Sequence, residues 1–586
     1  MADKPSSAEA ATRPSANSDD ASAFTPERFE KELQHLAEKA KSNTFSNRLL
    51  EQSGLYARIL VLLSFLGIYS HVSQLNLSPV YGSIPASIWH SKLLMGGCFL
   101  GWAGNMFLRD FLPVPSAKAL PIVAVCIPGV QHFLGTRSQF LGPQWGPVVT
   151  EALTLLPLSV LTAASVADCW EEVRLSKLPK FVADSGPGIG SWALLKYSED
   201  KFGSLLPLII GRFMFFTRLG FEMLLGFGYM AFSPSKYLVY TAFPFLHTFL
   251  LNTHVQSPAA TRTLMSNLMT DGWLFIERRE SVTGYISVVQ SVQQGFRVMR
   301  CDHSLLGGEW INHRGGPVSE PIYGVFAMLE AVRLVGAVSA VADKDAKALV
   351  IGLGVGTTPS ALVAHGINTT VVEYDPVVYE FAAKYFDLKE NNPPVLQDAV
   401  GYTAELAKIA PATYDYIVHD VFTGGAEPVE LFTLEFFQGL HTLLAPEGTV
   451  AINYAGDLNL PAPKIIYRTI KQVFPTCRIF REMPPDVESI KTKDMDFTNM
   501  VIFCRKSPTA ALTFRPPTVE DCLQSAARQE FLILSHEVPE GDMLDEGADI
   551  MRSNETDKVA KWHVQSAMGH WGLMRTSIPA FIWERW

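Results

Sequence analysis

Charge is scarce in this chain. Charged residues make up 18% of its 586 residues, against about 25% in soluble domains, which argues against a fully soluble or disordered protein. Lys and Arg number 48 against 58 acids, for a net charge of −10, and there are no basic runs. A nucleic-acid partner is therefore not expected. Cysteine is sparse too: Cys98, Cys126, Cys169, Cys301, Cys477, Cys504 and Cys522 stand far apart, with no CxxC and an odd total. That spacing predicts neither a disulfide framework nor a zinc site, and it fits reducing surroundings. HExxH and GxxxxGK[ST] are missing, as is G-x-S-x-G at a strand–helix turn, so metal-hydrolase, P-loop ATPase and serine-hydrolase chemistry are without support.

What the chain does have is long apolar sequence. No Asp, Glu, Lys or Arg occurs in 59–91, 93–108, 119–136, 152–167 or 237–261. A helix crossing a bilayer needs about 20 mostly apolar residues. The runs predict a membrane domain over 55–256 with about six helices, near 55–77, 89–109, 119–136, 148–168, 204–232 and 237–256. Residues 1–24 read as a disordered tail without the apolar core of a secretory signal, and 25–54 as an amphipathic helix. Twelve Lys and Arg flank one face of such a bundle; the other has two, Arg137 and Lys236. Basic flanks mark the cytosolic side, so six spans put both termini and the C-terminal half in the cytosol. Arg218 and Glu222, four apart in the fifth span, share a helix face and can pair.

After Arg262 the pattern changes. Alternating segments at 284–290 and 296–302 predict a small β domain over 272–318. From 347, apolar strands alternate with helical segments, the signature of a Rossmann-like α/β domain over 319–512. Residues 513–586 form a C-terminal extension without a recognisable fold. The stretch ALVIGLGVGTTPSAL (347–361) ends a strand in Gly352, Gly354 and Gly356 and opens a helix. Glycines there let the backbone turn tightly and approach a ligand. Glu373 closes the next strand, where an acid can bind ribose hydroxyls. Asp398 follows the third strand, as an adenine-side acceptor or a helix N-cap. Asp420 ends the fourth strand, in YDYIVHD, at the ligand end of an open α/β sheet. His419 beside it points to the opposite side of the strand.

ERRESVTGYISVVQ, MRCDHSLLGGEW, LGVGTT, VVEYDP, LQDAV, YDYIVHD and ELFTLEFF, in that order, resemble the aminopropyltransferases, the spermidine and spermine synthases, in the branch fused to multi-span membrane domains. The resemblance covers roughly a third of the chain, 275–455. It implies a fold of the S-adenosylmethionine methyltransferase type and transfer of an aminopropyl group from decarboxylated S-adenosylmethionine to an amine, in polyamine biosynthesis. It further implies Asp420 as base, Glu373 and Asp398 as nucleoside ligands, Tyr323 at the acceptor channel, no metal, and a homodimer. The chain departs from the pattern at Val355, Thr423, Val325 and Gly284, where the synthases carry three acids and a glutamine. An S-adenosylmethionine-dependent methyltransferase is the alternative: it needs the same donor residues without carboxylates for a polycation, and Val355 does not repel the intact donor's carboxylate. A membrane transport or scaffold protein with a nucleoside-sensing domain is the second alternative.

Overall fold

The computed structural model describes residues 30–31, 33–34, 45–175, 179–313, 316–336, 341–421, 428–508 and 511–586. The expected tail, 1–24, and much of the helix expected over 25–54 lie outside them.

The charge-poor first half folds as a helical bundle. Helix α1 (Phe45–Tyr81) contains the first expected span. The second is divided at Gly104 into α2 (His90–Ala103) and α3 (Asn105–Phe111). The third, α4 (Ser116–Gly135), runs through Pro121 and Pro128. Helices α5 (Ser138–Leu153) and α6 (Leu155–Glu172) meet at Thr154. Gly97 and Gly101 on α2 let α6 approach so closely that a Cβ on either would overlap Ser159 or Val160; small residues four apart do this in membrane bundles, where close packing replaces the hydrophobic drive.

The next segments correct the sequence reading. Residues expected as a loop, together with the start of the fifth span, form α7 (Lys180–Ile209). The chain reverses around Gly211, at φ 74°, and re-enters as α8 (Arg218–Phe232). A 3-10 turn at Lys236–Thr241 leads into α9 (Ala242–Leu251). Lys196, Glu199, Asp200 and Lys201 interrupt the apolar run and hid α7, yet Glu199 is satisfied inside the bundle by Ser70, at 2.7 Å, and by Lys196.

Two sets of contacts mark the bundle's ends. At one, Gln52 bonds Glu172 and Arg174, Arg109 pairs with Asp168 and Glu171, and Ser233 bonds Ala117. At the other, the carbonyls of Leu75, Pro79 and Val80 accept from Arg218, Arg300 and Trp571. Among the described residues the chain thus passes between the ends seven times rather than six, and the start of α1 and the C-terminal half lie at opposite ends. Three of the helices, Leu49–Tyr81, Ser116–Gly135 and Ser138–Glu172, are long and apolar enough to cross a membrane. Arg218 does not pair with Glu222. It meets Glu280 at 2.8 Å and Asp302 at 2.6 Å, and Glu222 accepts from Gln131 at 2.9 Å.

Helix α10 (Pro258–Thr270), capped by Ser257 and with proline at its first position, leads into an antiparallel sheet of β1 (Trp273–Glu280), β2 (Tyr285–Ser291), β3 (Phe296–Cys301), β4 (Ser304–Trp310) and β5 (Glu320–Pro321), in that order. Helix α11 (Gly324–Leu329) bridges to the α/β domain. Its strands are β6 (Lys347–Ile351), β7 (Asn368–Glu373), β8 (Val395–Leu396), β9 (Tyr414–His419), β10 (Leu444–Asp457), β11 (Thr476–Arg481), β12 (Phe497–Arg505) and β13 (Glu537–Val538). The order across the sheet is β13-β11-β12-β10-β9-β6-β7-β8. Helices α12 (Thr357–Ala364), α13 (Pro376–Tyr385), α14 (Ala399–Ile409), α15 (Leu434–Leu443) and α16 (Pro461–Lys471) connect the strands, and each face of the sheet carries its own apolar core. Cys477 and Cys504, opposite each other on β11 and β12, form a disulfide, contrary to the expectation from cysteine spacing. Residues 27 apart in sequence are brought together only by strand register.

The C-terminal extension supplies β13 and then α17 (Ala560–Ser577) and α18 (Ala580–Arg585), which return to the small sheet and the bundle. Arg278 donates to the carbonyl of Trp586, Arg300 to that of Ile582, and Ser138 of α5 to Glu584.

Candidate active site

After β6 the chain moves to β7 and β8 on one side, then returns to β9 and β10 on the other. The gap between β6 and β9 is therefore the switch point where open α/β sheets bind ligands. Both strands end there. Asp420 N–H donates to Ile351 O at 2.8 Å. Gly352, Gly354 and Gly356 follow β6 with φ of 87°, 55° and 85°. A Cβ at Gly352 would overlap the Asp420 carbonyl, and one at Gly354 would lie 2.5 Å from Leu306 O. The loop thus takes a shape open to glycine alone and leads directly into α12.

Glu373, at the end of β7, is buried with its carboxylate turned toward this loop. Oε2 accepts from Leu353 N–H at 3.0 Å and Oε1 from Asp375 N–H at 2.7 Å. Burial pushes its carboxyl up to about 7, while the backbone donors pull it back. Asp398 caps α14 through Gly401 N–H at 2.8 Å, and its exposed side chain also lines the large cavity above the sheet. That cavity, about 2200 Å³, is walled by Gly352, Tyr374, Gln397 and Asp398 from the α/β domain, Asp302 and His303 from the small sheet, Gly82–Pro85 from the bundle, and His570 and Trp571 from α17. The last two groups were not legible in the sequence, because neither has a motif.

Asp420 follows β9. Its Oδ1 accepts from Asn453 Nδ2 at 2.8 Å. Burial pushes its carboxyl up to about 6, and the Asn453 bond opposes the shift. His419 faces the other side of the sheet, 5.0 Å from the Phe432 ring centroid, and burial among aromatics pushes it down to about 3. It therefore stays neutral and far from the crevice. Tyr323 precedes α11 and lines a second cavity of about 1140 Å³ with Asn453, Glu482 and Asn499; burial raises its phenol. Of the positions that depart from the synthase pattern, Val355 and Val325 are buried apolar side chains, Gly284 precedes β2, and Thr423 lies outside the described residues. No cluster of three or more metal-ligating side chains occurs among the described residues.

The structure thus gathers the three glycines, Glu373 and Asp420 at one crevice, with Asp398 on the cavity wall and Tyr323 in the cavity beyond Asn453. The family described as the spermine/spermidine synthase domain matches residues 328–493, well under half of the chain. An N-terminal histidine N-methyltransferase of Emericella nidulans is 43% identical over 552 residues, which cover 90% of this chain and 97% of that protein. The chain belongs to that enzyme's family. A polyamine aminopropyltransferase of Vibrio vulnificus is 34% identical, but over 113 residues, 19% of this chain and 38% of that one. A solved probable spermidine synthase from Corynebacterium glutamicum aligns over 48% of this chain and 95% of its own at 16% identity, with a TM-score of 0.36. Human methyltransferase-like protein 13, solved with SAH, aligns over 38% and 96% at 23% identity, with a TM-score of 0.26.

These findings correct the resemblance drawn from the motifs. Membership in the N-methyltransferase family, carried by nearly the whole chain, overturns both the assignment to the aminopropyltransferases and aminopropyl transfer as the activity. The synthase likeness is confined to the segment that builds the nucleoside crevice. The chain is a transferase, and of the two donors expected, S-adenosylmethionine, the donor of N-methyltransferases, stands with this family.

Proposed function

We propose that this protein is a membrane-embedded methyltransferase that moves a methyl group from S-adenosylmethionine to an N-terminal histidine. The observation that carries the reading is 43% identity to an N-terminal histidine N-methyltransferase along 97% of that enzyme's length. The crevice fits the donor: the loop from Gly352 to Gly356 leaves backbone where side chains would collide, and Glu373 and Asp398 are placed for the nucleoside. The donor supplies a methyl group on a positively charged sulfur. A nitrogen that takes it must shed a proton. Asp420, its carboxyl near 6 and oriented by Asn453, is ionised at neutral pH and basic enough to take it. The test is incubation of the detergent-purified protein with S-adenosylmethionine and a peptide beginning with histidine. A gain of one methyl on that residue supports the reading; no transfer to any such peptide refutes it.

The bundle is read as the membrane domain, on the strength of its three long apolar helices and the glycine-mediated contact between α2 and α6. Its orientation is read from seven passes. Arg28, Lys31, Lys39, Lys41 and Arg48 precede or open α1 in sequence, and Arg109, Lys118, Arg174, Lys180 and Lys236 flank turns at that same end. The end nearest the catalytic half has Lys92, Arg137 and Arg212. Basic flanks mark the cytosolic side, which puts the catalytic half on the non-cytosolic face. The Cys477–Cys504 disulfide agrees, since such bonds persist in oxidising compartments. Asn554, exposed and followed by Glu555 and Thr556, is a glycosylation acceptor on that half. A glycosidase-sensitive mass lost in Asn554→Gln, and protection of the catalytic half from protease in sealed vesicles, support this orientation. Cleavage of that half from the cytosolic side overturns it.

A further inference from the structure

The donor crevice leaves the second cavity without a function. It adjoins the first, since His570 lines both, and it begins at Asn453, the residue that holds Asp420. It therefore lies on the acceptor side of Asp420. Glu482, directly after β11, enters its wall. One carboxylate oxygen accepts from Val325 N–H at 3.1 Å and the other from Asn499 Nδ2 at 2.8 Å. Both donors are neutral, so they fix the group without cancelling its charge. Among the described residues Glu482 has no ion-pair partner, and neither cavity is lined by a single Lys or Arg. His570, the one ionisable base on the wall, is pushed down to about 4 by burial and stays neutral. A half-buried carboxylate held in a cavity without a counter-charge favours a cationic ligand. Asn453 and Asn499 each spend their Nδ2 on a carboxylate, Asp420 and Glu482 respectively, and both line the cavity. Tyr323, Leu573 and Met574 supply apolar wall for a side chain.

We propose that Glu482, with Asn499 and Asn453, seats the protonated α-amine of the acceptor peptide's first residue. This rests on the reading of the protein as an N-terminal histidine methyltransferase and deepens it: the site selects a free N-terminus by its charge. An amine held as ammonium has no lone pair to donate. The methyl therefore goes to a ring nitrogen: a nitrogen–carbon bond forms, the donor's sulfur–carbon bond breaks with its electron pair left on sulfur, and the ring's displaced proton passes to Asp420.

The experiment compares three acceptors: a histidine-first peptide, its Nα-acetyl form, and the des-amino form beginning with imidazolepropionyl. The wild-type protein should lose about 30-fold in kcat/KM on the two uncharged forms, the scale of a lost hydrogen bond to a charged group. Glu482→Gln should lose about as much on the free peptide and nothing further on the des-amino one. Its S-adenosylmethionine Kd should match wild type, which reports the fold independently, and Glu482→Asp should recover part of the preference for charge. Equal losses on charged and uncharged peptides in Glu482→Gln, or a wild-type enzyme indifferent to the amine, overturn the seat while leaving the activity intact. A wild-type enzyme inactive on every histidine-first peptide overturns the activity, and the seat with it.

Discussion

Gly352→Ala is the sharpest probe of the donor crevice, because the structure gives the new methyl group no place to go. Gly352 sits at φ 87°, where an alanine is strained by about 1 kcal/mol. Its Cβ would overlap the Asp420 carbonyl oxygen and stand 2.9 Å from the carbonyl carbon. That neighbour is backbone, anchored by Asp420 N–H to Ile351 O at 2.8 Å, so it cannot rotate aside as a side chain would. Overpacking of this kind costs about 1–3 kcal/mol. Together the terms come to about 2–4 kcal/mol, and they fall where β6, β9 and the donor loop meet. If the loop moves to relieve the clash, donor affinity drops by about two orders of magnitude, at tenfold per 1.4 kcal/mol. If the loop holds, the cost appears as a Tm lower by roughly 5–10 °C. Titration calorimetry with S-adenosylmethionine and a melting curve, run on the same preparation, capture both routes. Gly541→Ala is the control: nothing beyond its own helix backbone and chain neighbours lies within 4 Å of its Cβ position, and a change under about 0.5 kcal/mol is expected. A Gly352→Ala protein that binds the donor and melts like wild type would refute the geometry assigned to this turn.

Asp420→Asn should abolish methyl transfer while leaving donor affinity within about threefold, since the lost group faces the acceptor. In the wild-type protein Asp420 is protonated below about 6 and ionised above it, so kcat should rise with pH through that value. The residual rate of Asp420→Asn should lack that rise; a rise that persists there would assign it to another group. Cys477→Ser should lower stability by about 3 kcal/mol, the expectation for a crosslink closing a loop of this length. The drop should be matched in the wild type by reductant, and equal melting with and without reductant would mean that the bond contributes nothing.

The α/β half was legible because its signals are local. The glycine turn after β6, the acids closing β7 and β9, and the period of strand and helix all lie within a few residues of the feature they predict. Helix α7 was not, because its charges are satisfied only in the fold. With those charges paired inside the bundle, Glu199 with Ser70 and Lys196, it reads as a loop in sequence. Arg218 was misplaced for a similar reason. Its neighbour Glu222 is four residues away, but its partners Glu280 and Asp302 are 62 and 84 residues away and come from another domain. The disulfide was hidden in the same way, since only the register of β11 against β12 brings Cys477 to Cys504.

The mistaken activity has a different origin. Aminopropyl and methyl transfer both move an alkyl group from a sulfonium attached to the same nucleoside, so the donor half of the crevice must look alike in both. Gly352–Gly356, Glu373 and Asp398 report that shared half and are silent on which group leaves. The acceptor half decides. A polyamine presents several charges spaced along a chain and needs several carboxylates in register, and the structure fills one of those positions with the buried apolar side chain of Val325. What remains facing the acceptor is Asp420, held by Asn453, and Glu482, held by Asn499: two carboxylates, one for the proton that must leave and one for a single positive charge that must stay. That number matches an acceptor with one amine and one ring, the acceptor proposed above.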